Sequence, residues 1–97
     1  MKSEKREPMD VEDVFSSRLR VKILKVLTEV GELNVSEIAR RLGVNYGSTT
    51  AHLRVLEDEG LVLHKQFGRI RIYRLNQNSA RIKIIQSLFE VWVNQNK

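Results

Sequence analysis

Apolar side chains recur at steps of three and four residues through much of the first sixty positions, the spacing of a helix with one buried face. The first clear helix begins at Ser16 or Ser17, either of which can cap it, and ends before Gly31. Its expected buried positions are Leu19, Ile23, Val26, Leu27 and Val30. A shorter helix over residues 10–15 precedes it, with Val11, Val14 and Phe15 turned inward.

Two further helices follow, separated by a tight turn. Asn34 and Glu37 have the capping-box spacing, in which Asn34 accepts from the backbone and Glu37 reaches back. Gly43 ends this helix, whose expected buried residues are Ile38, Ala39 and Leu42. Asn45 caps a third helix, expected over residues 46–59.

Beyond the third helix the hydrophobic period changes from 3.6 to two. Residues 61–67 and 69–75 are rich in β-forming side chains, and Gly68 supplies a turn between them. The two segments therefore predict a β-hairpin. In its second strand Ile70 and Ile72 share a face, with arginines on the other.

This order of elements is typical of a winged helix-turn-helix domain. Residues 16–75 resemble the ArsR- and MarR-type winged-helix regulators of bacteria and archaea. The segments that carry the resemblance are SRLRVKIL (17–24), VSEIARRLGV (35–44), AHLRVLE (51–57) and GLV (60–62). The resemblance implies an α+β fold, mostly α, with a three-helix core, a β-hairpin wing and an additional C-terminal helix. It also implies a sequence-specific transcriptional regulator of double-stranded DNA.

The third helix is the expected recognition helix, placed in the major groove. At 100° per residue, Thr49, Leu53 and Leu56 share the side that must face the core. The candidate base-reading residues are Tyr46, Gly47, Ser48, Thr50, Ala51 and Arg54. Arg54 can pair with guanine or a phosphate, and Thr50 can donate, accept or contact a thymine methyl group. The acidic residues 57–59 are expected on a solvated face where the helix leaves the groove.

Basic charge is concentrated in the last third of the chain. Residues 61–97 hold seven Lys and Arg against one acid, whereas residues 1–60 hold ten against eleven, and the total is +5. No acid lies between residues 61 and 75, so the wing over residues 64–74 is expected on the DNA backbone or minor groove. Its candidate contacts are Lys65, Gln66, Arg69 and Arg71. Phe67 is either an exposed wedge or a ring folded onto the core.

The C-terminal segment predicts an amphipathic helix with more apolar surface than one small domain can bury. Its dimerisation candidates are Ile82, Ile85, Leu88, Phe89 and Trp92, beside a second stripe of Ile84, Leu88 and Val91. A homodimer is expected, with or without a contribution from residues 11–15, and the alternative is packing on the chain's own first helix. The expected organisation is a flexible tail over residues 1–9, a DNA-binding domain over 10–76 and a dimerisation helix over 77–97.

Other functional classes find little support in the composition. The chain has no Cys, and its two His lie twelve positions apart. We therefore expect neither the metal sites of ArsR-type sensors nor any cofactor in this chain. No phosphate loop, carboxylate pair or nucleophile–base set indicates an enzyme. No apolar run reaches the roughly 20 residues that span a bilayer, and a cytoplasmic location is expected. The remaining alternatives are an architectural DNA-binding protein and a winged-helix interaction module; any small-molecule effector is unknown.

Overall fold

The computed structural model describes residues 9–95. Its helices are α1 (Val11–Val14), α2 (Arg18–Val30), α3 (Val35–Leu42), α4 (Tyr46–Asp58) and α5 (Ala80–Gln95). Its strands are β1 (Glu32–Asn34), β2 (Val62–Phe67) and β3 (Ile70–Leu75). The mostly helical α+β winged-helix architecture is therefore confirmed. The predicted flexible tail lies outside the described residues except for Met9.

Each of the three central helices begins at the residue whose side chain can cap it. The Ser17 hydroxyl accepts from a backbone N–H of the first turn of α2 at 3.3 Å. The Asn34 and Asn45 side-chain oxygens do the same for α3 and α4, at 2.8 and 2.7 Å. Because these bonds satisfy N–H groups that a helix cannot pair internally, they fix where each helix starts.

The capping box of α3 is only half formed. Glu37 was expected to reach back to Asn34, but its carboxylate instead accepts hydrogen bonds from Arg40 and Arg41, one turn further on. These bonds, with the largest effect from Arg40, lower the pKa of Glu37. Two cations at helical spacing outcompete one backbone N–H for the same carboxylate, because charge-assisted hydrogen bonds are the stronger kind.

The sheet has three antiparallel strands in the order β1-β3-β2, one more than the sequence predicts. Leu33 of β1 lies opposite Tyr73 of β3. In the hairpin Phe67 pairs with Ile70, which leaves a two-residue loop that begins at Gly68. The φ of Gly68 is +58°, and a positive φ at the first loop residue suits the right-handed twist of a hairpin.

The core lies between α2, α3, α4, the sheet and the start of α5. Its largest fully buried side chains include Ile23, Leu24, Leu27, Ile38, Leu53, Leu56, Tyr73 and Ile82. Leu42 and Val26 are only half-buried against this core, and Val30 is exposed at the end of α2. Val35 is buried instead at the start of α3. The buried stripe of α2 therefore runs through Leu24 rather than on to Val30.

The chain before α1 is fastened to the end of α4 and the start of α5. The Met9 N–H donates to the buried Glu59 carboxylate at 3.1 and 3.2 Å. Arg81 of α5 also contacts Glu59. Its Nη2 donates to the Glu59 carbonyl oxygen at 2.5 Å, and its Nη1 lies 3.7 Å from the Glu59 carboxylate. The expectation that residues 57–59 form a solvated face is thus wrong for Glu59, which links the end of α4 to the segment before α1 and to the start of α5.

Candidate nucleic-acid interface

The orientation of α4 is set by one buried side. Thr49, Leu53 and Leu56 are fully buried, as the helical spacing predicts. The Thr49 hydroxyl donates to the Asn45 carbonyl oxygen at 2.9 Å, so burying this polar side chain leaves no hydrogen bond unmade. Since a helix with one side in the core must present the other to solvent, the Gly47 and Ala51 side of α4 projects from the domain.

The projecting side carries most of the candidate base-reading residues. Tyr46, Gly47, Ala51 and Arg54 are exposed, whereas Ser48 is half-buried. No side chain of the described residues covers the position where a Gly47 Cβ would stand, apart from the capping Asn45 at 3.6 Å. The start of α4 therefore offers a shallow surface with small side chains at its centre and larger ones at its margins.

Thr50 differs from the expectation. Its hydroxyl oxygen is buried and has no hydrogen-bond partner in residues 9–95, although the residue as a whole is half-exposed. The side chain turns its oxygen toward the protein, since Thr50 lies next to the buried Thr49 side of the helix rather than at the centre of the projecting side. In this rotamer Thr50 can offer the apolar contact that was one of its predicted roles, but not the hydroxyl contact that was the other.

The wing presents two different faces. Gln66, Arg71 and Tyr73 share the face that carries the core residues of the sheet. Arg71 donates to the Tyr73 hydroxyl at 3.4 Å and to the Gln66 side-chain oxygen at 3.5 Å. Burial raises the pKa of Tyr73, and nearby Glu57 adds to the rise, whereas the charges of Arg71 and Arg54 oppose it. Arg71 of the wing thus contacts this hydroxyl directly, and the charge of Arg54 in α4 acts on it from further away.

A contact between Glu57 and His64 joins the wing to α4. The Glu57 carboxylate lies 2.6 Å from His64 Nδ1, and the His64 ring lies against Tyr73 with centroids 5.3 Å apart. Glu57 is half-buried, so the prediction of a solvated face is wrong here too. The contact links the middle of β2 to the last turn of α4.

The opposite face of the wing ends in exposed apolar side chains. Phe67 and Ile70 are 56% and 51% exposed, so the alternative of a Phe67 ring folded onto the core is wrong. The predicted shared face of Ile70 and Ile72 is this outer face. On it Arg74 is 3.8 Å from Glu32, whereas Lys65 and Arg69 have no acidic partner in the described part of the chain.

The C-terminal helix divides the dimerisation candidates into two groups. Ile82 and Ile85 are buried in the chain's own core and Phe89 is half-buried against it. The prediction that Ile82 and Ile85 contact a second copy is therefore wrong, because the first turns of α5 complete the core. Exposed apolar residues form the remaining stripe, which we call the α5 stripe: Ile84, Leu88, Val91 and Trp92. Val11 was expected to point inward but is 66% exposed beside it.

Comparison with known proteins agrees with this geometry. Residues 17–63 match the family described as bacterial regulatory protein, arsR family. A cadmium-resistance transcriptional regulatory protein homologue of Staphylococcus aureus is 32% identical over 88 residues, which cover 88% of this chain and 72% of that protein. The chain belongs to the ArsR family.

A second relative comes from a virus. The chain is 38% identical over 77 residues to an uncharacterised helix-turn-helix transcriptional regulator of Sulfolobus spindle-shape virus 1, covering 78% of this chain and 66% of that protein. The chain thus spans about two thirds of the length of that relative. This ArsR-family chain is a sequence-specific DNA-binding transcriptional regulator of the winged helix-turn-helix class, and it is not an enzyme.

A solved ArsR-type structure has the same fold. The homodimeric winged helix-turn-helix DNA-binding domain from Mycobacterium bovis, a possible ArsR-family regulator studied by NMR, is 27% identical with a TM-score of 0.71. The match covers 89% of this chain and 77% of that one. Within residues 9–95, no helix is both long and apolar enough to span a membrane, and no three His, Cys, Asp or Glu group together as a metal site would require.

His52, at the edge of the ArsR recognition helix, is packed against Arg20 of α2. The Arg20 Nη1 lies 3.3 Å from His52 Nδ1. Burial and, to a smaller extent, the Arg20 charge lower the pKa of His52 below the ordinary histidine value of 6.5. The ring is therefore neutral at pH 7, and its Nδ1 accepts from the guanidinium.

This lowered pKa predicts a loss of stability in mild acid. Below about pH 6.5 the unfolded chain takes up a proton at His52 that the folded chain still excludes, so the free energy of unfolding falls as the pH is lowered. Urea unfolding on both sides of pH 6.5 should show a flatter pH dependence for His52→Gln than for the wild type. Identical pH profiles would mean that His52 titrates alike in both states.

Proposed function

We propose that the chain binds an inverted-repeat DNA operator as a homodimer, with the start of α4 in the major groove and the wing on the adjacent backbone or minor groove. One observation carries the proposal: the uncovered side of α4 borders a wing whose cations, Lys65 and Arg69, lack acidic partners in residues 9–95. Phosphates are the groups that such unpaired cations accept.

The proposed reading of bases rests on a division of roles along α4. Gly47 and Ala51 lack bulk, so the helix can approach the floor of the groove closely, and Ala51 can contact a thymine methyl group. Tyr46, exposed at the N-terminal margin, can bond a phosphate. Arg54, exposed one turn after Ala51, is the residue in α4 able to bond a guanine at two points.

The proposed dimer uses the α5 stripe together with Val11. Val11, Ile84 and Leu88 line an apolar groove of about 400 Å³ between α1 and α5, to which Met9, Val14 and Phe15 also contribute. Trp92 lines a second groove, which shares Leu88 with the first. Exposed apolar surface of this extent typically marks an interface. The Mycobacterium bovis neighbour is a homodimer, which supports a second copy as the occupant. Two-fold symmetry would then place paired α4 helices about 34–36 Å apart, one turn of DNA.

The salt dependence of DNA binding tests the role of the wing. Replacing both Lys65 and Arg69 by Gln removes two proposed phosphate contacts per protomer, so the slope of log affinity against log salt should become shallower by roughly 1.8 per protomer. The measurement is fluorescence anisotropy with a duplex selected from a random library, followed by footprinting of that duplex.

A matched control is Arg74→Gln, which removes a cation that already faces Glu32. Its slope should stay close to that of the wild type. If the double variant keeps the wild-type slope, the wing does not contact phosphates. A footprint without inverted symmetry would contradict the proposed dimeric arrangement.

A further inference from the structure

The tip of the wing combines apolar exposure with basic charge. Phe67 and Ile70 are directly opposite each other in the hairpin register and both are more than half exposed. Lys65, two positions before Phe67, points to the same face, and Arg69 is in the loop between the two strands. This apolar pair at the end of the hairpin is not part of the core. Exposed apolar surface of this kind typically marks a site of contact with another molecule.

We propose that Phe67 and Ile70 form a wedge that enters the DNA minor groove and partly unstacks one base step. The inference rests on the proposed function, because it requires the wing to lie on DNA. Apolar side chains inserted between base pairs from the minor groove kink a duplex toward the major groove. The flanking Lys65 and Arg69 would hold the phosphates on either side of the opened step.

The hairpin is built rigidly enough to drive such a distortion. Its loop has only two residues, and β3 pairs with β2 along its whole length and with β1 over residues 72–74, below the tip. At the base of the wing, Glu57 of α4 contacts His64 at 2.6 Å. A wedge on a flexible arm would bend away from stacked bases, whereas the hairpin here contacts, through His64, the helix that is proposed to sit in the major groove.

Charge distinguishes DNA from a second protein copy as the occupant of this tip. No acidic residue lies between positions 61 and 75, so two such tips brought together would place like charges side by side. The apolar surface available for self-association lies elsewhere, on α1 and α5. DNA matches both properties of the tip, because its phosphates attract the basic side chains and its stacked bases offer an apolar surface to Phe67 and Ile70.

The wedge also predicts which sequence it selects. Pyrimidine–purine steps unstack most easily, so a TA or CA step under the wing should be preferred although no side chain reads its base edges. Wild-type protein should recover such a step at a fixed distance from the major-groove half-site in a random-library selection. Phe67→Ser should recover the same half-site without the step preference.

The decisive experiment measures DNA shape with the full chain bound to the duplex selected by the wild type. Energy transfer between end labels should report a bend in the range of about 20–90°, and 2-aminopurine at the proposed step should brighten as it unstacks. Phe67→Ser and Ile70→Ser should lose both signals while still protecting the half-site. Phe67→Leu keeps an apolar wedge and should retain them. Circular dichroism and thermal unfolding check that each variant is folded.

The possible outcomes separate this inference from the proposed function. A protein that protects the duplex without bending it or brightening the probe would overturn the wedge and leave the proposed function standing. No binding of any selected duplex would instead defeat the proposed function. If Phe67→Ser left the bend intact but changed the sedimentation of the free protein, the tip would be a protein-contact surface, and the wedge would again be wrong.

Discussion

Replacing Trp92 by glutamate is expected to convert the dimer into monomers and to weaken operator binding by about 100-fold or more. Trp92 is 67% exposed near the end of α5, where it lines a groove with Val21 of α2 and with Leu88 and Phe89. In a two-fold interface each substitution occurs twice, so two carboxylates would have to be buried without partners. A monomer then loses the gain in affinity that comes from binding both half-sites at once.

Sedimentation equilibrium measures the first effect and anisotropy with the selected duplex measures the second. Val30→Glu is the matched control, because Val30 is an exposed apolar residue at the end of α2, outside the α5 stripe. It adds the same charge and should leave the dimer intact. Trp92→Glu protein that still sediments as a dimer would show that the α5 stripe is not the interface.

The parts of the fold that the sequence predicts are those decided by neighbours in the chain. Ser17, Asn34 and Asn45 cap their helices within three residues of themselves, and the burial of Thr49, Leu53 and Leu56 follows from helical spacing alone. The projecting side of α4 was predictable for the same reason. Each of these features depends on one segment and one period.

Features that depend on two distant segments were missed. Strand β1 has three residues, too few to show a period, and it exists because β3 supplies its hydrogen bonds. Glu57 and Glu59 are acids at the end of a helix, which in isolation are expected to be solvated. Glu57 contacts His64 on the wing, and Glu59 contacts Met9 before α1 and Arg81 in α5. These partners come close only in the completed fold.

The dimerisation candidates failed in part for a related reason. The seam through Ile82, Ile85, Phe89 and Trp92 has the spacing of a helix interface, and the spacing itself is correct. The spacing cannot show whether each residue packs on its own chain or on a second copy. Because one side of the first turns of α5 lies over the core, Ile82 and Ile85 are buried in their own chain, and the side that carries the α5 stripe is left exposed.

Replacing Arg54 by alanine is expected to weaken specific operator binding by about 1–3 kcal/mol while changing the affinity for random DNA much less. Arg54 is exposed on the projecting side of α4, and its charge opposes the rise in the pKa of Tyr73 in the wing. A guanidinium bonded at two points to guanine contributes to one sequence only, whereas one bonded to a phosphate contributes to every sequence.

Arg54→Lys separates these two cases, because it keeps the charge but loses the planar fork that bonds two acceptors. If Arg54 reads a base, the lysine variant should lose most of the discrimination between operator and random DNA while retaining the wild-type salt dependence. Competition binding with both duplexes at one salt concentration gives the measurement. Equal losses on operator and random DNA in Arg54→Ala would make Arg54 a phosphate contact, and sequence reading would then rest on Tyr46, Ala51 and the shape of the DNA.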